Sequence, residues 1–230
     1  MISQSHSQIT KTSFTLKNQI TFIDLFAGCG GLSLGFHKHR SFVNVLATDI
    51  WEQAKCTYET NFKGSKYIIA DLSSVEGINS LLSKINSNVD LIVGGPPCKG
   101  FSTLNNSKQE SKYNTLVDQY LTIVENKHPK LFVIENVRGI TSKKHPSGLS
   151  YPEHIKKRIS TFENGYNYSE VVMNMSQYGL AQNRIRYFFI ASSINFDPQG
   201  RILQKILDEI ENSKTEKKKV LAAFMIRSYI

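Results

Sequence analysis

The sequence contains no C-x-x-C pair, and its 230 residues include only three cysteines, Cys29, Cys56 and Cys98, well apart from one another. A structural zinc site built on paired cysteines is therefore not expected, and no metal ligands are assigned. So small and odd a cysteine count does not make a disulfide framework either, which suits a reducing cytoplasm. The opening stretch MISQSHSQITKTS is polar and lacks the apolar centre of a secretory signal. No apolar run reaches the ~20 residues that cross a bilayer. A cytoplasmic chain without a membrane partner is expected. No internal repeat is visible. Negative charge is the scarcer sign: 19 Asp and Glu stand against 28 Lys and Arg, for a net charge of +9. A basic surface of that size favours polyanions, nucleic acid first among them.

The chain itself shows a steady alternation. Short apolar runs, ITFIDLFAG, VNVLATD, KYIIADL, VDLIVGG and PKLFVIENV, read as buried strands. Between them lie GLSLGFHKH, EQAKCTYETNF, SVEGINSLLSKI and TLVDQYLTIVENK, which read as helices. Ser73 or Ser74 is the expected N-cap of the third helix, and Leu116, Tyr120, Ile123 and Val124 share one face of the fourth. Near-continuous apolar strands separated by amphipathic helices predict an α/β fold, a mostly parallel central sheet with helices on both faces. Residues 1–18 are expected to be a flexible arm, 19–195 the principal domain, and 196–230 a helical and basic tail. In that tail RILQKILDEIENS places Ile202, Ile206 and Ile210 on one helix face.

Chemistry concentrates at strand ends. The first turn, DLFAGCGGLSLG, puts Gly28, Gly30 and Gly31 between strand and helix, where a ligand can approach the backbone closely. Asp49 at the end of the second strand is placed to accept from ribose hydroxyls, and Asp71 at the end of the third to reach an adenine edge. The pattern points to an adenosine-bearing cofactor and does not separate NAD from S-adenosylmethionine. In an open parallel sheet, ligands bind beyond the carboxyl ends of the strands where strand order reverses. Cys98, stiffened by Pro96 and Pro97, ends the fourth strand there, and Glu135 and Asn136 end the fifth. A thiol, a carboxyl group and a cofactor loop are thus expected to converge on one crevice.

FIDLFAGCGGLSLGF, GGPPCKGFS, IENV and QNRIRYFFIA occur in the order of the DNA (cytosine-5)-methyltransferase motifs, and the chain resembles that family from about Thr21 to Ala191. The resemblance implies a Rossmann-like S-adenosylmethionine-dependent methyltransferase domain, and it selects S-adenosylmethionine over NAD. It implies Cys98 as the nucleophile at carbon-6 of cytosine, Glu135 at ring N3 and the exocyclic amine, and Arg184 and Arg186 at the cytosine carbonyl and the charges of the site. The cofactor would be held by Phe26, Ala27, Gly28, Gly30 and Gly31, by Asp49, Ile50 and Trp51, by Asp71 and Leu72, and by Pro96. The polar stretch KGFSTLNNSKQESKYNT resembles the family's loop that closes over DNA, with Ser102 near phosphate.

Two departures stand out. Lys99 replaces the usual Gln, and only about 40 residues follow Ile190, too few for the target-recognition domain and final motifs of the family. The expected function is methyl transfer to carbon-5 of cytosine in DNA, within a restriction-modification system, with a second polypeptide carrying target recognition. A non-catalytic remnant that binds cofactor or partner, and a tRNA cytosine methyltransferase, are the alternatives.

Overall fold

The computed structural model describes residues 19–85, 88–97 and 115–215. Expectations placed on residues 1–18, on Cys98, Lys99 and Ser102, and on residues 216–230 lie outside them. In chain order the elements are β1 (Ile20–Leu25), α1 (Ser33–His37), β2 (Phe42–Asp49), α2 (Glu52–Asn61), β3 (Tyr67–Ile69), α3 (Val75–Lys84) and β4 (Leu91–Gly94). They continue with α4 (Leu116–Lys127), β5 (Leu131–Val137), α5 (Tyr151–Ile159), β6 (Tyr166–Asn174), β7 (Ile185–Ser193) and α6 (Arg201–Asn212). Every strand and helix foreseen from the alternation is present. Ser74 caps α3, its hydroxyl accepting from the Gly77 N–H.

The seven strands form one sheet in the order β3-β2-β1-β4-β5-β7-β6. The pairs β1–β2, β2–β3, β1–β4 and β4–β5 are parallel, and β7 runs antiparallel to both β5 and β6. Strand order reverses between β1 and β4. The chain first winds outward to β3, then returns to the other side of β1. Ligand-binding loops of such sheets gather at that reversal.

Alternating side chains divide the interior in two. Ile23 and Leu25 of β1, Ile92 of β4 and Ile134 of β5 join the larger cluster, packed by Tyr120 of α4 and Ile155 of α5. The Tyr120 hydroxyl reaches the carbonyls of both Ile92 and Val133, 3.0 Å each, tying α4 to the two strands that lead into the site. On the other face Phe22, Leu91 and Val93 form a smaller cluster with Phe36 of α1. Beside it lies an all-apolar trough of about 400 Å³ whose walls include Phe36, Leu131, Val133, Phe188, Ile206 and Ile210. Two of the three isoleucines aligned on the α6 face in the sequence thus meet the sheet. By strand alternation Glu135 lies on the same face as Leu131 and Val133, directly up the strand from the trough.

Close packing explains one glycine outright. A Cβ on Gly30 would sit 2.1 Å from Phe62 Cε2, and its φ of +88° is one that side chains disfavour. Gly30→Ala is expected to lower the unfolding free energy by about 1–3 kcal/mol, read by urea denaturation. An unchanged midpoint would show that the loop can relax away from α2.

Candidate active site

The turn after β1 is a chain of left-handed residues. Phe26 has φ +58°, Gly28 +49° and Gly30 +88°. A Cβ on Gly28 or Gly31 would meet nothing within 4 Å, so those positions border open space. Asp49 fixes the turn. Its two carboxylate oxygens accept from the Gly28 N–H at 2.8 Å and the Trp51 N–H at 2.9 Å. The acid expected at the end of β2 therefore joins the glycine loop to the start of α2, with lone pairs remaining for a further donor. Ile50 and Trp51 beside it are 61% and 54% exposed, an unusual investment of apolar surface next to a carboxylate.

Asp71 lies two residues beyond β3, not at its end. Its Oδ1 accepts from the Ser73 N–H and hydroxyl. Leu72 is buried in the larger cluster, and Ala27 is buried beside Ala47, Tyr58, Phe62 and Tyr67. Pro96 is buried as well, and its carbonyl accepts from Asn136 Nδ2 at 3.0 Å. The Pro-Pro turn that precedes Cys98 is thereby fastened to the end of β5.

Glu135 and Arg186 form an ion pair, Nε to Oε1 at 2.7 Å, with both side chains largely enclosed. The antiparallel register explains it: Glu135 faces Phe188 and Val137 faces Arg186, so the guanidinium reaches back along β5. The Arg186 Nη1 also donates to the Ile185 carbonyl, which orients the fork. Burial pushes the Glu135 carboxyl above its ordinary range, while Arg186 and the exposed Arg184 pull against that shift. The net direction is upward, so this carboxyl is easier to protonate than a free one.

The fold also shows a group that sequence reading passed over. Asp24 lies within β1, wholly buried, and burial raises its pKa to about 7. The Ser33 hydroxyl donates to its Oδ2 at 2.5 Å, and Ser33 in turn meets the Tyr58 hydroxyl at 2.8 Å. Its Oδ1 is buried, with no hydrogen-bond partner among the described residues. A lone acid inside the apolar run FIDLF was the available signal. A second group of this kind, Asp118 with His145 and His154, brings two imidazoles and a carboxylate together through spacings of 27 and 9 residues that no simple motif marks.

The family model for C-5 cytosine-specific DNA methylase matches residues 20–228, past the Ala191 where the motif resemblance stops. The chain belongs to that family. It is 36% identical over 198 residues to the Type II methyltransferase M.DdeI of Desulfomicrobium norvegicum, covering 85% of this chain and 46% of that protein. It is 34% identical over 183 residues to the DNA (cytosine-5)-methyltransferase 1 of Gallus gallus, covering 74% of this chain and 12% of that one. Among solved structures, a DNA modification methyltransferase encoded within an E. coli prophage aligns with a TM-score of 0.64 at 31% identity, over 78% of this chain and 48% of that chain. The methylase thus has the Rossmann-like fold expected of it, and it spans about half the length or less of these relatives. Among the described residues no helix is long and apolar enough to cross a membrane.

The buried acid gives a stability test. A carboxyl whose pKa rises from 3.8 to about 7 on folding holds its proton in the native state while the unfolded chain releases it. Stability therefore falls as pH rises through that window, by at most about 1.4 kcal/mol per pH unit for one proton. Asp24→Asn removes this slope. Urea unfolding at intervals from pH 4 to 7 should show wild type losing stability relative to the variant, and parallel curves would refute the assignment.

Proposed function

We propose that this methylase is the catalytic and cofactor-binding portion of an enzyme that moves a methyl group from S-adenosylmethionine to carbon-5 of cytosine in DNA. We further propose that it serves a restriction-modification system with a second polypeptide carrying target recognition. One observation carries the catalytic reading. The Glu135–Arg186 pair stands at the end of β5, held by Asn136 against the Pro-Pro turn that leads into Cys98, and β4 ends beside the glycine loop of β1.

The residues fit an adenosine cofactor. The open positions at Gly28 and Gly31, the Asp49 carboxylate, and the exposed Ile50 and Trp51 form a cradle with a polar anchor and an apolar face. When bound there, S-adenosylmethionine supplies an electrophilic methyl group. The chain's own residues prepare the acceptor. Carbon-5 of cytosine is a poor nucleophile, and the Cys98 thiolate adding at carbon-6 turns it into an enamine-like carbon. Negative charge that develops on ring N3 is met by a proton from Glu135, whose raised affinity for that proton suits the task. Arg186 holds the Glu135 carboxyl in place, and Arg184 adds positive potential from the rim. After transfer, a solvent base takes the carbon-5 proton, the thiolate is expelled, and the N3 proton returns to the Glu135 carboxylate, which restores the ring. The target base must leave the duplex to reach these groups.

More than half of M.DdeI lies outside the matched region, and the second polypeptide would supply what that part carries. Among the described residues, the trough beneath Glu135 is lined by apolar side chains only, a surface suited to an apolar helix face. Target recognition needs base-edge contacts that a basic surface by itself does not give.

Methyl transfer from labelled S-adenosylmethionine tests the first proposal, with DNA and tRNA offered side by side. DNA is expected to be labelled and tRNA not. Cys98→Ser should abolish transfer, and 5-fluorocytosine DNA should trap an adduct on Cys98. An adduct on Cys29 or Cys56 would overturn the assignment. Glu135→Gln should slow turnover by about 10²–10⁴-fold with little change in DNA affinity, whereas equal losses would mark a structural carboxylate.

For the second proposal, the portion of M.DdeI beyond the matched region is added in trans. Alone, the chain should bind DNA with steep salt dependence and no site preference. With the companion it should methylate specific sites, and Ile206→Lys combined with Ile210→Lys should prevent the association. Site-specific methylation by the chain alone would show that no companion is needed.

A further inference from the structure

Asp118, in the first turn of α4, faces two histidines that none of the proposed methyl-transfer chemistry uses. His145 belongs to the turn before α5 and His154 to α5 itself. His145 Nε2 lies 2.9 Å from Asp118 Oδ2, and His154 Nε2 lies 2.5 Å from Asp118 Oδ1. The imidazoles are stacked, with ring centroids 3.5 Å apart. One donor atom from each of the three residues falls within 4.8 Å of the others. The side chains are 8%, 14% and 31% exposed for His145, His154 and Asp118, so the cluster is largely enclosed.

The scaffold beneath it is rigid. His145 donates its backbone N–H to the Leu149 carbonyl and receives the Gly148 N–H, each at 2.8 Å, and Lys144 bridges to Ser150. Ser150 and Glu153 form a capping box that starts the helix carrying His154. Ser147 Oγ lies 2.9 Å from His145 Nδ1 and 3.3 Å from His154 Nδ1, so one hydroxyl touches the far nitrogen of both rings.

We propose that Asp118, His145 and His154 bind a divalent transition-metal ion of the zinc class, with Ser147 as the outer partner of both imidazoles. Two imidazoles and one carboxylate suit Zn²⁺, Co²⁺ or Ni²⁺, whereas Mg²⁺ and Ca²⁺ favour all-oxygen sets. Without an ion, each ring donates an Nε2–H to Asp118. Coordination needs both Nε2 lone pairs. Each ring then carries its proton on Nδ1, exchanged through solvent, and Ser147 Oγ has two lone pairs to accept them. The Ser147 N–H, now 3.1 Å from His145 Nδ1, gives up that contact. The rings fan apart about their side-chain bonds to aim at one point about 2.0–2.1 Å from each donor, while the turn keeps its backbone. The bound ion would cross-link the first turn of α4 to the turn and helix that follow β5.

Chelator-treated full-length protein carrying Cys29→Ser, Cys56→Ser and Cys98→Ser is titrated with Co²⁺ and, separately, with Zn²⁺. The expected result is one ion per chain, visible Co²⁺ bands, and a higher melting temperature with Zn²⁺. His154→Gln and Asp118→Asn should each abolish all three. Ser147→Ala should weaken binding by about 10–100-fold, as loss of a supporting partner does. His154→Gln replaces a partly exposed side chain and carries the test if Asp118→Asn fails to fold. No saturable binding, or binding unchanged in His154→Gln, would show that the cluster is a hydrogen-bonded clasp and overturn the proposal.

Discussion

Leu25 and Gly94 end two parallel strands and lie opposite each other in the β1–β4 register. Because those strands are neighbours, the glycine loop and the Pro-Pro turn leave the sheet side by side. The pairing also leaves no room for side chains between them. A Cβ on Gly94 would come within 2.6 Å of the Leu25 carbonyl. The next strand, β5, then delivers Glu135 to the same edge, and Asn136 fastens it to Pro96. A one-residue slip in β4 would turn its side chains to opposite faces and carry the Pro-Pro turn away from Asn136 and Glu135.

Two carboxyl groups near the crevice are shifted the same way for different balances of forces. Asp24 has little opposition to burial: Ser33 helps its charged form, and Asp49 works against it. Glu135 is less enclosed and faces two arginines, so its shift is the remainder of strong opposing effects. The first is a group whose proton is part of the fold. The second is poised, because a change in guanidinium distance would move its proton affinity directly. Such opposed influences are what acid–base chemistry near neutral pH requires of a carboxyl.

Much of this was legible in the sequence because parallel strands are buried on both faces and read as uninterrupted apolar runs. β1 to β5 and the glycine loop declared themselves that way, and Glu135, Asp49 and Pro96 followed from strand ends. β6 did not, since YNYSEVVMN mixes polar and apolar residues without a steady period and the strand has no buried position. α5 was missed because it is short and dense in basic residues, held by its cap and by Tyr151 and Ile155 underneath. Asp24 and the Asp118–His145–His154 cluster depend on neighbours far along the chain. Local pattern says nothing of them. Asp71 was placed at a strand end by its apolar prelude, yet β3 stops at Ile69, where its pairing with β2 ends.

Leu131, Val133, Phe188 and Ile190 are held in the trough by hydrogen-bonded strands at the middle of the sheet. A helix that settles there meets a receptor already in its final shape, so little ordering of this chain opposes the encounter. Complexes of that sort form at ordinary docking rates and owe their persistence to slow release. A half-enzyme built on such a surface would stay assembled through many catalytic cycles, and its level in a cell would follow whichever half is made in the smaller amount.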